Sequence, residues 1–210
     1  MIRNQLTLLC LGLLAFASCS SNPVPVFDAR VDPAFEGARS YKHLPLPLKR
    51  GTAYKISQGP FGCCTHNLPG HEYSWDFDVP YGTKVAAVEG GKVIQVWEPR
   101  LEAGCEEKFS EHAHNIKVLH EDGTVAQYVH IRSRVKVNDQ VRLGQTIGTT
   151  ARNGFICRPQ LHFSVFEDRL HLPGSRRART IPLRFDELPN AGYGYEGYEG
   201  TAGVSYQDLP

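Results

Sequence analysis

The sequence lacks several features that would place it in other classes of protein. Its charges nearly cancel, with 23 Lys and Arg against 22 Asp and Glu and a net charge of +1, so nothing indicates a nucleic-acid partner. It has no long helical period of apolar residues, so a helical fold is not predicted. No Cys-x-x-Cys pair occurs, which argues against a zinc site built from cysteines. The remaining signals are those of strands and turns.

The amino terminus predicts export. An apolar run at residues 6–16 follows Arg3 and is too short to span a bilayer, as in a secretion signal. It ends in Phe16-Ala17-Ser18-Cys19, which resembles a bacterial lipobox, with plain cleavage nearby as the alternative. Serines follow Cys19, and by resemblance to Gram-negative lipoproteins this favours the outer membrane. We therefore expect a signal peptide over residues 1–18, a membrane anchor at an acylated Cys19, and a mature protein in the cell envelope that faces the periplasm.

Four cysteines remain when Cys10 and the lipobox cysteine are set aside. An even number in an oxidising compartment predicts at least one disulfide. A bridge between the adjacent Cys63 and Cys64 is least favoured, because vicinal geometry is strained. The two connectivities that pair these cysteines with Cys105 and Cys157 both stay open.

The composition divides the chain into a tether, one domain and a tail. Residues 19–44 are polar, contain proline and show no clear period, as expected of a tether. Residues 45–187 suffice for one domain with its own core. Residues 188–210 include a Gly- and Tyr-rich repeat of low complexity and predict a flexible tail.

Strand and turn signals fill the domain. Residues 91–97 are rich in β-branched and aromatic side chains. Residues 116–119 and 125–131 flank the turn Glu121-Asp122-Gly123-Thr124 and predict a hairpin, with Tyr128 and His130 on one face of its second strand. The sequence therefore predicts an all-β domain.

Residues 160–166 predict a strand with one functional face. Side chains alternate along a strand, so the polar residues Gln160, His162 and Ser164 share one face. The opposite face is apolar and carries Leu161, Phe163 and Val165. One face thus suggests a core and the other a site.

Polar groups elsewhere in the chain could complete a metal site with His162. Zinc in a hydrolytic enzyme takes three protein ligands and keeps a fourth position open, and two His with one Asp would satisfy it. His66, Asp76 and His130 lie in separate short motifs, and zinc ligands can come from distant points of a chain. The pattern suggests a metallopeptidase.

The chain resembles the lysostaphin or LytM-type zinc endopeptidases, peptidase family M23, over roughly residues 45–170. The motifs that carry the resemblance occur in the family's order: Leu46-Pro47-Leu48-Lys49-Arg50-Gly51, Gln58-Gly59, Thr65-His66, Tyr73-Ser74-Trp75-Asp76-Phe77, Pro80-Tyr81-Gly82-Thr83, Asn115 through His120, Tyr128-Val129-His130, Gly144-Gln145-Thr146-Ile147-Gly148 and Leu161-His162-Phe163. The resemblance implies a compact antiparallel sheet of the duplicated-hybrid type with a zinc site in a groove. It also implies hydrolysis of amide bonds in peptidoglycan cross-link peptides.

The resemblance assigns the zinc ligands residue by residue. Asp76 with its trailing turn matches the family's Asp ligand, and His162 matches the last His ligand. Many members place the first His four residues before the Asp, but the subgroup with Gln-Gly and Ser/Thr-His carries it further back, which favours His66 over His71. His112 and His114 also stand two apart, and a polar loop is their preferred interpretation.

Two further positions decide the expected activity. His130 matches the family's non-ligand His and would orient or deprotonate water or hold an oxyanion. Gln160 replaces a second non-ligand His, and a Gln amide can donate a hydrogen bond but cannot carry a proton. The first hypothesis is therefore a lipid-anchored zinc endopeptidase of the cell wall. The second is a catalytically weak domain that regulates or scaffolds other wall hydrolases, and a metal-free structural lipoprotein ranks last.

Overall fold

The computed structural model describes residues 42–62, 65–167, 179–188 and 199–202. The expected signal peptide, the lipobox cysteine and most of the tether lie outside these residues, so the anchor and the location stay predictions. Within the described part of the chain, no helix has the length and apolar character needed to cross a membrane.

The described residues form sixteen strands and a short 3₁₀ helix, Glu107–His112. In chain order the strands are β1 Lys42–Leu44, β2 Ala53–Gln58, β3 Trp75–Asp78, β4 Lys84–Ala86, β5 Gly91–Trp97, β6 Ala103–Gly104, β7 Asn115–His120, β8 Thr124–Val129, β9 Ile131–Ser133, β10 Gln140–Val141, β11 Thr146–Thr150, β12 Gly154–Phe155, β13 Gln160–Glu167, β14 Arg179–Thr180, β15 Leu183–Phe185 and β16 Glu199–Thr201.

One large sheet positions the site. Its strand order is β10-β5-β7-β8-β13-β3-β2-β16, with β14 beside β13, and its pairings are antiparallel. A smaller antiparallel sheet has the order β4-β11-β9. Two short parallel pairs, β1 with β15 and β6 with β12, lie outside these two sheets. The predicted all-β antiparallel fold is confirmed.

One core cluster draws residues from both sheets. The apolar face of β13 is fully buried, and the rings of Phe163 and Tyr128 stand 5.1 Å apart between centroids. Val85 and Ile147 of the smaller sheet belong to the same cluster. The Tyr128 hydroxyl accepts a hydrogen bond from the Val88 backbone at 3.0 Å, which satisfies its polar end inside the core. The apolar face predicted for residues 160–166 is therefore confirmed.

The predicted strand over residues 91–97 is β5 with the same bounds. The predicted hairpin is β7 and β8, and Gly123 in its turn has a φ of 82° that favours glycine. The second strand, however, ends at Val129. His130 adopts a left-handed backbone with a φ of 61°, so the prediction that Tyr128 and His130 share a strand face is wrong.

Short strands lie where tether and tail were expected. Residues 42–44 pair with β15, and residues 199–201 pair with β2 at the edge of the large sheet. Ala202 is 1% exposed and belongs to the core. Sequence composition does not reveal such pairings, because each strand is only three residues long.

The structure joins Cys105 to Cys157. Because β6 and β12 pair in parallel next to them, their Cα atoms lie 4.4 Å apart. This bond belongs to neither of the two connectivities that the sequence left open, which is a correction. Cys63 and Cys64 lie outside the described residues.

Candidate metal centre

Three adjacent strands bring the predicted site residues to one level of the large sheet. Asp76 on β3 stands opposite His162 on β13, and Val129 at the end of β8 stands opposite His162 from the other side. His66 comes from the loop between β2 and β3. The two strand residues therefore share one face, and the loop adds the third.

Three ligand atoms converge. Asp76 Oδ1 lies 2.8 Å from His162 Nδ1 and 3.4 Å from His66 Nε2, and the two histidine nitrogens lie 3.3 Å apart. Ligands about 2.0–2.2 Å from a tetrahedral zinc ion stand roughly 3.3 Å from one another. Two imidazoles and a carboxylate are also donors that zinc prefers, so these residues fit the ion that the family resemblance implies.

Other groups orient each ligand from behind. His66 Nδ1 donates a hydrogen bond to the Gly59 carbonyl at 2.8 Å, which leaves Nε2 to face the centre. Gln58 Nε2 donates to Asp76 Oδ2 at 3.1 Å and leaves Oδ1 for the centre. A bulge in the pairing of β2 with β3 puts Gln58 opposite Asp76. The sequence marked Gln58-Gly59 only as part of a family motif.

The carboxylate of Asp76 is buried and charged. Burial alone would raise its pKa, but the hydrogen bond and charge of His162, followed by those of His66, outweigh burial and hold the pKa well below its ordinary value. A cation bound between the same three groups would balance this buried anion.

The structure separates His66 from His71. His66 is fully buried and contributes one of the three atoms that lie within 4.8 Å of one another. His71 is exposed, and its ring centroid lies 5.8 Å from that of His162. Burial, His162 and His66 lower the pKa of His71. The geometry thus favours His66 for the ligand position and leaves His71 as a neighbour of the centre.

His130 lies directly after the residue opposite His162. Its Nδ1 donates to the Asn153 carbonyl at 2.8 Å, which leaves Nε2 as the free ring nitrogen of the neutral form. Its backbone N–H donates to His114 O at 3.0 Å, and its carbonyl accepts from Ala151 at 2.8 Å. These bonds hold a left-handed conformation that a non-glycine residue seldom adopts. Burial above all, with His162, lowers the pKa of His130 to about 4.

Gln160 begins β13, two residues before His162 on the same strand face. It is half-buried and stands opposite Asp78 of β3. Because β8 ends at Val129, no strand residue of β8 lies beside Gln160. The side chain is therefore at the rim of the centre rather than within its ligand set.

The alternative histidine pair lies apart from the ligand atoms. His112 ends the 3₁₀ helix and is near Glu102, with 3.6 Å between Nε2 and Oε2. His114 Nε2 donates to the Pro99 carbonyl at 3.0 Å. Asn153, which supports both His114 and His130, was not identified from the sequence, because no local motif marks it.

A family model described as Peptidase family M23 matches residues 70–172. The match includes Asp76, His130, Gln160 and His162 and begins just after His66.

Relatives agree with this match. The chain is 32% identical over 140 residues to the glycyl-glycine endopeptidase ALE-1 of Staphylococcus capitis, covering 66% of this chain and 34% of that protein. It is 32% identical over 130 residues to lysostaphin of Staphylococcus simulans, covering 61% and 23%. It is 29% identical over 120 residues to the peptidoglycan DD-endopeptidase ShyC of Vibrio cholerae, covering 55% and 23%. The chain thus spans about a third or less of the length of these relatives. The region that the family model matches holds Asp76 and His162, two of the three converging residues. This chain carries a domain of peptidase family M23.

Proposed function

We propose that this protein is a zinc-dependent endopeptidase that hydrolyses amide bonds in the peptide cross-links of peptidoglycan. The observation that carries the proposal is the convergence of His66 Nε2, Asp76 Oδ1 and His162 Nδ1 around the position of one cation. Membership of a peptidase family supports it, as do relatives named for glycyl-glycine and DD-endopeptidase activity.

The protein groups divide the work. Zinc held by His66, Asp76 and His162 would supply a Lewis acid for a peptide carbonyl. His130 is neutral near pH 7, because burial lowers its pKa to about 4, and its Nε2 can accept a proton from an attacking water. The Asn153 carbonyl holds the ring in the required tautomer. The same nitrogen can then return the proton to the departing amine.

One observation favours a second candidate function, a wall-binding regulator with weak catalysis. Gln160 stands where the family has a proton-carrying His, and its amide can donate to a developing oxyanion but cannot shuttle a proton. The two candidates differ in whether His130 alone suffices for proton transfer.

Wall-peptide hydrolysis by three proteins at equal zinc occupancy tests the choice. If His130 supplies proton transfer, His130→Ala lowers the rate by roughly 10²-fold or more, the usual scale for a general base. Gln160→His then changes the rate only modestly. Both variants should retain zinc, because neither residue is in the ligand set. An inactive wild type beside an active Gln160→His variant would contradict the enzyme proposal and favour the regulator.

A further inference from the structure

A cleft of about 550 Å³ opens beside the segment that supports His130. Residues 151–153 form part of its lining. The same residues hold His130 through the Ala151 N–H and the Asn153 carbonyl, each at 2.8 Å. His130, to which we assign proton transfer, does not line the cleft itself but is hydrogen-bonded to residues that do.

The cleft has an excess of positive charge. Arg132 and Arg152 both line it and are exposed, and neither forms an ion pair with a residue that the structure describes. The carboxylate that lines the cleft belongs to Glu98, and its Oε1 already accepts a hydrogen bond from the Ser133 backbone at 2.7 Å. Two guanidinium groups thus remain available for an anionic partner.

Other lining residues are held in place. Glu98, Leu101 and His114 flank a loop that the β6–β12 pair and the Cys105–Cys157 bond fasten to the chain after Asn153. The His114 N–H also donates to Asn153 Oδ1 at 2.8 Å. The fully buried Asn153 keeps an Nδ2 group without a hydrogen-bond partner among the described residues. A largely preformed cleft with a few polar groups is typical of a binding site.

We propose that this cleft binds a free carboxylate that the wall peptide carries next to the cleaved amide. Guanidinium groups suit this ligand, because their planar N–H donors match a carboxylate in two parallel hydrogen bonds. The preferred substrate is then a cross-link through a residue that keeps its own carboxylate, rather than an oligoglycine bridge, which has no side-chain anion. The inference rests on the proposed endopeptidase function and specifies its substrate class.

The test compares two synthetic cross-link peptides that differ only in a carboxylate or a carboxamide beside the scissile bond. Wild-type protein should cleave the carboxylate peptide with a kcat/KM about tenfold higher, the scale of one charge-assisted hydrogen bond. The double variant Arg132→Gln/Arg152→Gln should lose this preference, through a fall in kcat/KM on the carboxylate peptide, and should keep its zinc. Arg134→Gln is the matched control, since Arg134 is an exposed arginine two residues from Arg132 that does not line the cleft.

Two results would overturn the inference. One is equal cleavage of both peptides by the wild type, which leaves the endopeptidase proposal standing. The other is a preference for the carboxylate peptide that survives in the double variant. If neither peptide is cleaved by any protein, the endopeptidase proposal fails instead. Calorimetry then tests the cleft separately, by measuring the binding of the carboxylate peptide to the wild type and to the double variant. About tenfold weaker binding by the variant supports the inference, and equal binding refutes it.

Discussion

The residues that the structure describes include two clusters of possible metal ligands, and the clusters differ in what balances their charge. The histidine cluster consists of His66, Asp76 and His162, and the lysine cluster consists of Glu89, His120 and Asp122, each with ligand atoms within 4.8 Å of one another. In the lysine cluster, Lys42 Nζ lies 2.6 Å from Glu89 Oε2, 2.8 Å from Asp122 Oδ2 and 3.1 Å from His120 Nδ1. An ammonium group therefore already stands where a metal ion would bind.

The aspartates show the difference. Burial would raise the pKa of Asp122, but hydrogen bonds from Lys42 and Thr124 outweigh it and lower the pKa to about 2. The pKa of Asp76 is also lowered, but by the hydrogen bonds and charges of two imidazoles rather than by an ammonium group. The Asp76 side chain is 7% exposed and that of Asp122 is 50% exposed, so water can balance only the second. Ligand geometry alone thus overstates a metal site, and the charge balance separates the two clusters.

The largest effect that would test this comparison is loss of bound metal. Asp76→Ala should remove most zinc from purified protein, because it takes away the charged ligand of the histidine cluster. Asp122→Ala should leave one zinc per chain, because the lysine cluster holds the ammonium group of Lys42 instead of a metal ion. Elemental analysis of both proteins, prepared without a metal-chelating tag, measures this. Zinc lost from Asp122→Ala but retained by Asp76→Ala would reverse the comparison.

A second prediction separates the role of His66, a member of the histidine cluster, from that of His71, which lies beside the cluster. His66→Ala should lose most bound zinc, since Nε2 lies among the ligand atoms and the Gly59 carbonyl fixes the ring. His71→Ala should keep occupancy near that of the wild type, because His71 is exposed and lies outside that set. Zinc titration of the two apoproteins measures both affinities. If only His71→Ala binds zinc weakly, the ligand role passes to His71.

The histidine cluster was predictable from sequence, and the lysine cluster was not. Strand alternation along residues 160–166 and the family motifs indicate His162 and Asp76 from sequence alone, because strand periodicity and motif order are local signals. Lys42 was assigned to a tether, and its role depends on a hydrogen bond that spans 80 positions of sequence. The left-handed turn at His130 could not be predicted for a similar reason, since hydrogen bonds to His114 and Ala151, which are distant in sequence, hold its backbone.

The smallest expected effect is on stability, and it concerns Lys42. Lys42→Met removes the ammonium group from between Glu89 and Asp122, so the two carboxylates repel each other and β1 loses its contacts with the β7–β8 turn. We expect the free energy of unfolding to fall by about 1–2 kcal/mol, less than for a fully buried ion pair because both carboxylates are partly exposed. Lys55→Met is the matched control: its pair with Glu199 is exposed on both sides, and its stability should stay within about 0.5 kcal/mol of wild type. Denaturant unfolding of the zinc-loaded proteins measures both changes.

Zinc titration of Lys42→Met should also reveal a second, weaker binding event, since the vacated cluster keeps two carboxylates and an imidazole. Unchanged stability together with a single zinc site in Lys42→Met would show that the ammonium group is not what distinguishes the two clusters.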